Sequence, residues 1–109
     1  MENPDYENIT PRDLKARLEA GEGPVLLDVR EPWEFQLARI EGSTLIPMSR
    51  LEERFSELDP DSETVVICHH GNRSAYVTQA LRRVGFKNVL NLEGGLDAYS
   101  FVDDSLPRY

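Results

Sequence analysis

Sulfur, positive charge and long apolar runs are all scarce in this chain. Its 109 residues include one cysteine, two histidines and one tryptophan. A lone thiol closes no internal disulfide, and with no Cys-x-x-Cys pair a closed structural zinc site is not expected. The thiol is then either a core filler or a reagent. Lys and Arg total 12 against 20 Asp and Glu, a net charge of −8 that argues against non-specific attraction to nucleic acid or an anionic membrane. An anionic substrate must therefore be held by a local site working against the global field. No apolar run is long enough to span a bilayer. The opening Met1-Glu2-Asn3-Pro4-Asp5 has neither the basic nor the apolar region of a secretory leader, so the expectation is a soluble, cytoplasmic protein.

What is present reads as one unit over 1–109, with seven Gly and seven Pro spaced along the chain rather than pooled in a linker. Thr10-Pro11 predicts a helix start, with Leu14 and Leu18 on one face and Gly21 and Gly23 ending it. Val25–Val29 is an apolar run of strand length without alternation, as expected of a strand covered on both faces. A short helix opens at Glu31-Pro32, and Thr44–Pro47 is a brief strand. Ser49-Arg50-Leu51-Glu52 matches a capping box, predicting a helix through about Glu57. Thr64–Ile67 is strongly strand-like, and Ser74–Val84 carries Val77, Ala80, Leu81 and Val84 at helical spacing. Asn88–Asn91 is a last strand, followed by a helical turn from Leu96 to Ser100. Strands alternating with helices imply a mostly parallel α/β sheet covered on both faces, with sites beyond the strands' carboxyl ends. The loops after Asp28, after Ile67 and at Leu92–Gly95 would gather on that edge.

The single cysteine falls in one of these loops, Cys68-His69-His70-Gly71-Asn72-Arg73-Ser74, between a strand and a helix. A chain curling into a helix N-terminus turns successive N–H groups inward, a nest that favours an anion. If the anion is the Cys68 sulfur, the result is a thiolate ready to attack at neutral pH. Gly71 and Asn72 tolerate positive φ, Arg73 offers a planar cation, and Ser74 is placed to cap the helix. A structural cysteine is the competing reading. It requires no Gly-Asn turn, no arginine five residues on and no helix start directly afterwards.

This loop closely resembles the active-site loop of rhodanese-like sulfurtransferases. Leu27–Phe35 is similar to that family's amino-terminal signature, and Val89–Tyr99 to its carboxyl-terminal one. The resemblance implies a rhodanese-like α/β domain of about five mostly parallel strands with helices on both faces, the first strand very short near Glu7–Ile9. It also implies that Cys68 takes the outer sulfur of a donor such as thiosulfate, becomes a persulfide, and passes that sulfur to a thiol, to cyanide or to a protein acceptor. Cys68 to Arg73 spans six residues, the sulfurtransferase length, one fewer than in the phosphatase relatives. Catalysis is assigned to Cys68 and Arg73, with the amides of His69 through Ser74 stabilising the persulfide. His69, His70, Gly71, Asn72, Ser74 and Arg39 are read as substrate-binding. His69 stands where many thiosulfate-using members carry Arg or Lys, and a histidine is neutral for most of its population at pH 7.

Asp28 and Arg30 are read as an ion pair ordering the loop beneath the site, and Gly94-Gly95 as a tight turn that lets backbone approach Cys68. Trp33 and Phe35 are expected to pack, with a pocket entrance as their other reading. Adjacent histidines rarely chelate one ion, so no metal and no cofactor is expected. A non-catalytic sensory or docking module on the same fold is the alternative, and a small phosphatase or arsenate reductase is disfavoured by loop length.

Overall fold

The computed structural model describes residues 6–109, so the opening residues read above for a leader lie outside it. Strands β1 (Glu7–Ile9), β2 (Val25–Asp28), β3 (Thr44–Leu45), β4 (Thr64–Ile67) and β5 (Val89–Leu92) form one sheet in the order β1-β5-β4-β2-β3. Every pairing is parallel. Helices α1 (Pro11–Glu19), α2 (Pro32–Leu37), α3 (Leu51–Arg54), α4 (Asn72–Arg83) and α5 (Gly95–Tyr99) supply the crossovers and the cover. No helix among the described residues is long and apolar enough to cross a membrane.

Strand side chains alternate between faces, and the two cores follow from that period. Leu26, Val65, Ile67 and Leu92 join Leu14 of α1 and Leu96 and Tyr99 of α5 on one face. Leu27, Val66 and Val89 join Val77 and Leu81 of α4 on the other, and Cys68 belongs to this second cluster. The thiol therefore faces α4. Chain order reverses between the adjacent β2 and β4, so their carboxyl ends flank the kind of crevice where open α/β sheets place sites.

Several boundaries differ from the sequence expectations, each for a local reason. Thr10 caps α1 as expected, its hydroxyl accepting from the Asp13 N–H at 3.1 Å. Ser49 caps nothing: it lies inside a 3-10 turn, Met48–Arg50, that runs straight into α3. Val84 is 60% exposed, because the buried stripe of α4 is Ser74, Val77, Thr78 and Leu81 and the helix has ended at Arg83. Trp33 is 60% exposed and so is not a core residue.

Beneath the crevice, Arg30 is completely buried with every guanidinium N–H occupied. Its Nε donates to Asp28 Oδ1 at 2.8 Å and its Nη2 to Asp28 Oδ2 and the Ala38 carbonyl, both at 2.6 Å. Nη1 donates to the Glu34 carbonyl at 3.2 Å and to the Tyr109 hydroxyl at 2.7 Å. One guanidinium thus ties the end of β2 to both ends of α2. Removing its counter-charge leaves a buried cation unpaired, so Asp28→Ala should destabilise the fold by about 3–5 kcal/mol in urea denaturation. A loss under about 1 kcal/mol would mean that the pair does not hold this edge together.

Candidate active site

The loop after β4 builds a cradle around one sulfur atom. Gly71 adopts φ +95°, a left-handed turn that lets the chain enter α4 at once. The Gly71 N–H donates to Cys68 Sγ at 3.0 Å, the Ser74 N–H lies 3.4 Å from it, and the Ser74 hydroxyl 3.2 Å. Cys68 is only 1% exposed, yet its sulfur sits among polar donors at the positive end of a twelve-residue helix. Of the amides between His69 and Ser74, those of Gly71 and Ser74 are the ones bonded to the sulfur. Two readings of the loop are corrected here. Among the described residues only glycines have positive φ, so Asn72 is an ordinary first helical residue. Ser74 is the third residue of α4 rather than its cap, because the glycine turn is complete by position 71.

The loop's carbonyls are anchored on the opposite side. Leu96 N–H donates to the Cys68 carbonyl at 2.8 Å and Asp97 N–H to that of His69 at 2.9 Å, both from the first turn of α5. Close approach of that turn is what Gly95 provides. A Cβ on Gly95 would lie 2.5 Å from both the Cys68 and the His69 carbonyl oxygens, and its φ of +65° is itself left-handed.

Among the described residues Arg73 makes no hydrogen bond to the sulfur, and its guanidinium is engaged by a carboxylate. Its Nη1 and Nη2 donate to the two carboxylate oxygens of Glu34 at 2.8 and 3.0 Å, a bidentate pair joining α4 to α2. Glu34 is 4% exposed. Its carboxylate also accepts from the Glu31 N–H at 3.0 Å and the Tyr109 hydroxyl at 2.9 Å. The Arg73 guanidinium is the largest cause holding the Glu34 carboxyl down at about 2, with those two bonds assisting and burial opposing.

Aromatic rings cluster beside the loop. Tyr109 lies edge-on to His69 with centroids 4.2 Å apart, and edge-on to Trp33 at 6.1 Å. Trp33 is thus an exposed ring beside Tyr109. Burial, and then His70, pushes the His69 imidazole below its ordinary value, toward the neutral form. Its Nδ1 is buried without a hydrogen-bond partner. His70 turns outward, its side chain 63% exposed and 3.9 Å from Asp97. Arg39 stacks over the Phe35 ring at 4.7 Å and makes no described bond to the loop. An apolar groove of about 370 Å³ between Met48, Phe55, Tyr76 and Val84 lies on another part of the surface and includes none of these residues.

Asp28, Arg30, Cys68 to Ser74, Gly94 and Gly95 are therefore brought together as expected from sequence, and Arg39 stays at the rim. Glu34 and Tyr109 were not foreseen. Glu34 carried a weak signal, a carboxylate three residues after Glu31 at a helix start, where it returns to the Glu31 N–H; Tyr109 carried none.

A family model described as "Rhodanese-like domain" matches residues 10–101. The chain belongs to the rhodanese-like family. It is 39% identical over 95 residues to "Putative sulfurtransferase YtwF" of Bacillus subtilis, covering 87% of this chain and 91% of that protein. It is 40% identical over 114 residues to "Adenylyltransferase and sulfurtransferase MOCS3-2" of Zea mays, covering 97% of this chain and 24% of that protein. The chain thus spans about a quarter of the first curated relatives it matches. A solved rhodanese-related protein from Thermoplasma volcanium superposes with a TM-score of 0.80 at 36% identity, covering 94% and 96% of the two chains. The five-stranded α/β sheet is that of the family.

Two outcomes test the cradle and its brace. Gly95→Ala should shift the loop, costing more than the ~1–2 kcal/mol of a left-handed alanine in thermal denaturation and slowing iodoacetamide alkylation of Cys68; an unchanged alkylation rate would show that α5 does not set the loop. A carboxyl depressed from 4.5 to about 2 on folding contributes stability that is complete above pH 4.5 and lost as pH falls through 2. Wild type should therefore exceed Glu34→Gln by up to about 3 kcal/mol above that window, less solvent screening of Arg73, and converge with it near pH 2 in urea titrations.

Proposed function

We propose that this protein is a sulfurtransferase working through a Cys68 persulfide. The thiolate attacks the outer sulfur of a donor, thiosulfate or a related sulfane compound. The new S–S bond forms on Cys68 as the donor's own bond to that sulfur breaks, the electron pair leaving with the remainder of the donor. A thiol, cyanide or a protein acceptor then attacks the outer sulfur and Cys68 leaves as thiolate. The observation that carries this reading is the convergence of the Gly71 N–H, the Ser74 N–H and the Ser74 hydroxyl on the chain's only thiol. Such donors favour negative charge on Cys68 as attacking group and again as leaving group.

The six-residue loop converges on the sulfur itself, which suits transfer of one sulfur atom better than phosphate hydrolysis. Arg73 braces the loop from the Glu34 side and keeps guanidinium N–H groups beyond those two bonds. A reducing compartment such as the cytoplasm suits a cycle that regenerates a free thiol. The second reading, a docking module without catalysis, is favoured by one observation, the 1% exposure of Cys68.

Intact mass after incubation with thiosulfate and, separately, with a cysteine persulfide decides between them. A one-sulfur adduct is expected in wild type and none in Cys68→Ala; absence of the adduct from wild type defeats the sulfurtransferase reading. Ser74→Ala should slow adduct formation roughly tenfold, the worth of about 1.4 kcal/mol for one hydrogen bond to a charged acceptor.

A further inference from the structure

Among the described residues, the cations around the Cys68 loop are engaged by carboxylates, a hydroxyl or aromatic rings, and Tyr109 makes two of these contacts with Arg30. Arg30 lies 5.6 Å from the Tyr109 ring centre, covered by that ring, and the Tyr109 hydroxyl takes its last N–H. The same hydroxyl donates to Glu34, whose charge is already paired with Arg73. Two further arginines lie over aromatic rings, Arg39 on Phe35 at 4.7 Å and Arg108 on Phe101 at 4.0 Å. Asp97 adds negative charge beside His70, and His69 is held toward its neutral form. Tyr109 lies outside residues 10–101, the segment matched by the family model.

Resting on the sulfurtransferase reading, we propose that Tyr109 is its specificity-determining residue: by roofing His69 and capping Arg30 it makes an aromatic approach to Cys68, with the nearby cations already engaged, that admits an organic persulfide and disfavours thiosulfate. Thiosulfate brings two negative charges toward a thiolate in a chain of net charge −8 and loses sulfite, itself an anion, through the same opening. An organic persulfide R–S–SH asks for less. Cys68 S⁻ attacks its outer sulfur, the S–S bond breaks, and R–S⁻ leaves with the electron pair, giving Cys68 S–SH. The His69 ring packed against Tyr109 stands at this loop in place of a fixed cation.

The test compares initial rates of one-sulfur adduct formation by intact mass, using thiosulfate and cysteine persulfide at equal concentration, in wild type, Tyr109→Phe and Tyr109→Ala. The single tryptophan, edge-on to Tyr109, reports independently through its emission whether the ring has left. Wild type should load at least tenfold faster from the persulfide. Tyr109→Phe keeps the roof and should keep most of that ratio. Tyr109→Ala uncovers Arg30 and should cut it at least fivefold, chiefly by raising the thiosulfate rate. An unchanged ratio in Tyr109→Ala with altered Trp33 emission overturns the proposal while leaving sulfur transfer intact, and so does a wild type that loads from thiosulfate as fast as from the persulfide. That last comparison stands even if the alanine variant fails to fold. Loading of wild type by neither donor defeats the sulfurtransferase reading itself.

Discussion

The Cys68 loop can turn its amides on the sulfur because its carbonyls are engaged elsewhere. A short loop carries a donor and an acceptor at each residue, and both must find partners when buried. The α5 amides of Leu96 and Asp97 take the carbonyls of Cys68 and His69, and the Gly71 carbonyl goes to Ala75 N–H at 3.1 Å within α4. With the acceptors satisfied behind the loop, the Gly71 and Ser74 N–H groups face the thiol. Two glycines make the arrangement sterically possible. Gly71 turns the chain, and Gly95 lets a second backbone come close enough to hold it, where any side chain would meet the carbonyls of Cys68 and His69.

A second network fixes where that cradle stands relative to the rest of the mouth. Asp28, Arg30, Tyr109, Glu34 and Arg73 form a continuous chain of charged and hydroxyl groups from the end of β2 to the first turn of α4. Each buried charge in it has a partner of opposite sign, so the network avoids the penalty of an isolated buried ion while contributing little by way of free charge. Its effect is geometric. α2 is short and presents few apolar residues, with Trp33 and Leu37 both more than half exposed, so its position depends on Glu34 and the Arg30 bonds rather than on hydrophobic burial.

Residue spacing foretold the elements that depend on neighbours in sequence. The strands β2, β4 and β5, the capped start of α1 and the glycine turn into α4 all follow from short windows. The same windows brought Cys68, Ser74, Gly94 and Gly95 to one edge. What they could not carry were partners far along the chain. Glu34 meets Arg73 across 39 residues, and Tyr109 meets Glu34 and Arg30 across 75 and 79. Such pairs leave no periodicity to read. The sequence placed Arg73 in the Cys68 loop, but nothing local named the carboxylate that pairs with it. Ser49 illustrates the opposite error, a valid local signal displaced by the 3-10 turn that leads into α3.

Charge bookkeeping then separates what the cradle does from what the mouth does. Stabilising a thiolate needs partial positive charge at one atom, and amide and hydroxyl dipoles provide it over 3.0–3.4 Å without adding a net charge that would draw solvent or counter-ions. Because Glu34 neutralises Arg73, the guanidinium braces α2 against α4 while the dipoles govern the sulfur. In the proposed cycle the same amide and hydroxyl donors would serve Cys68 both as attacking and as leaving group.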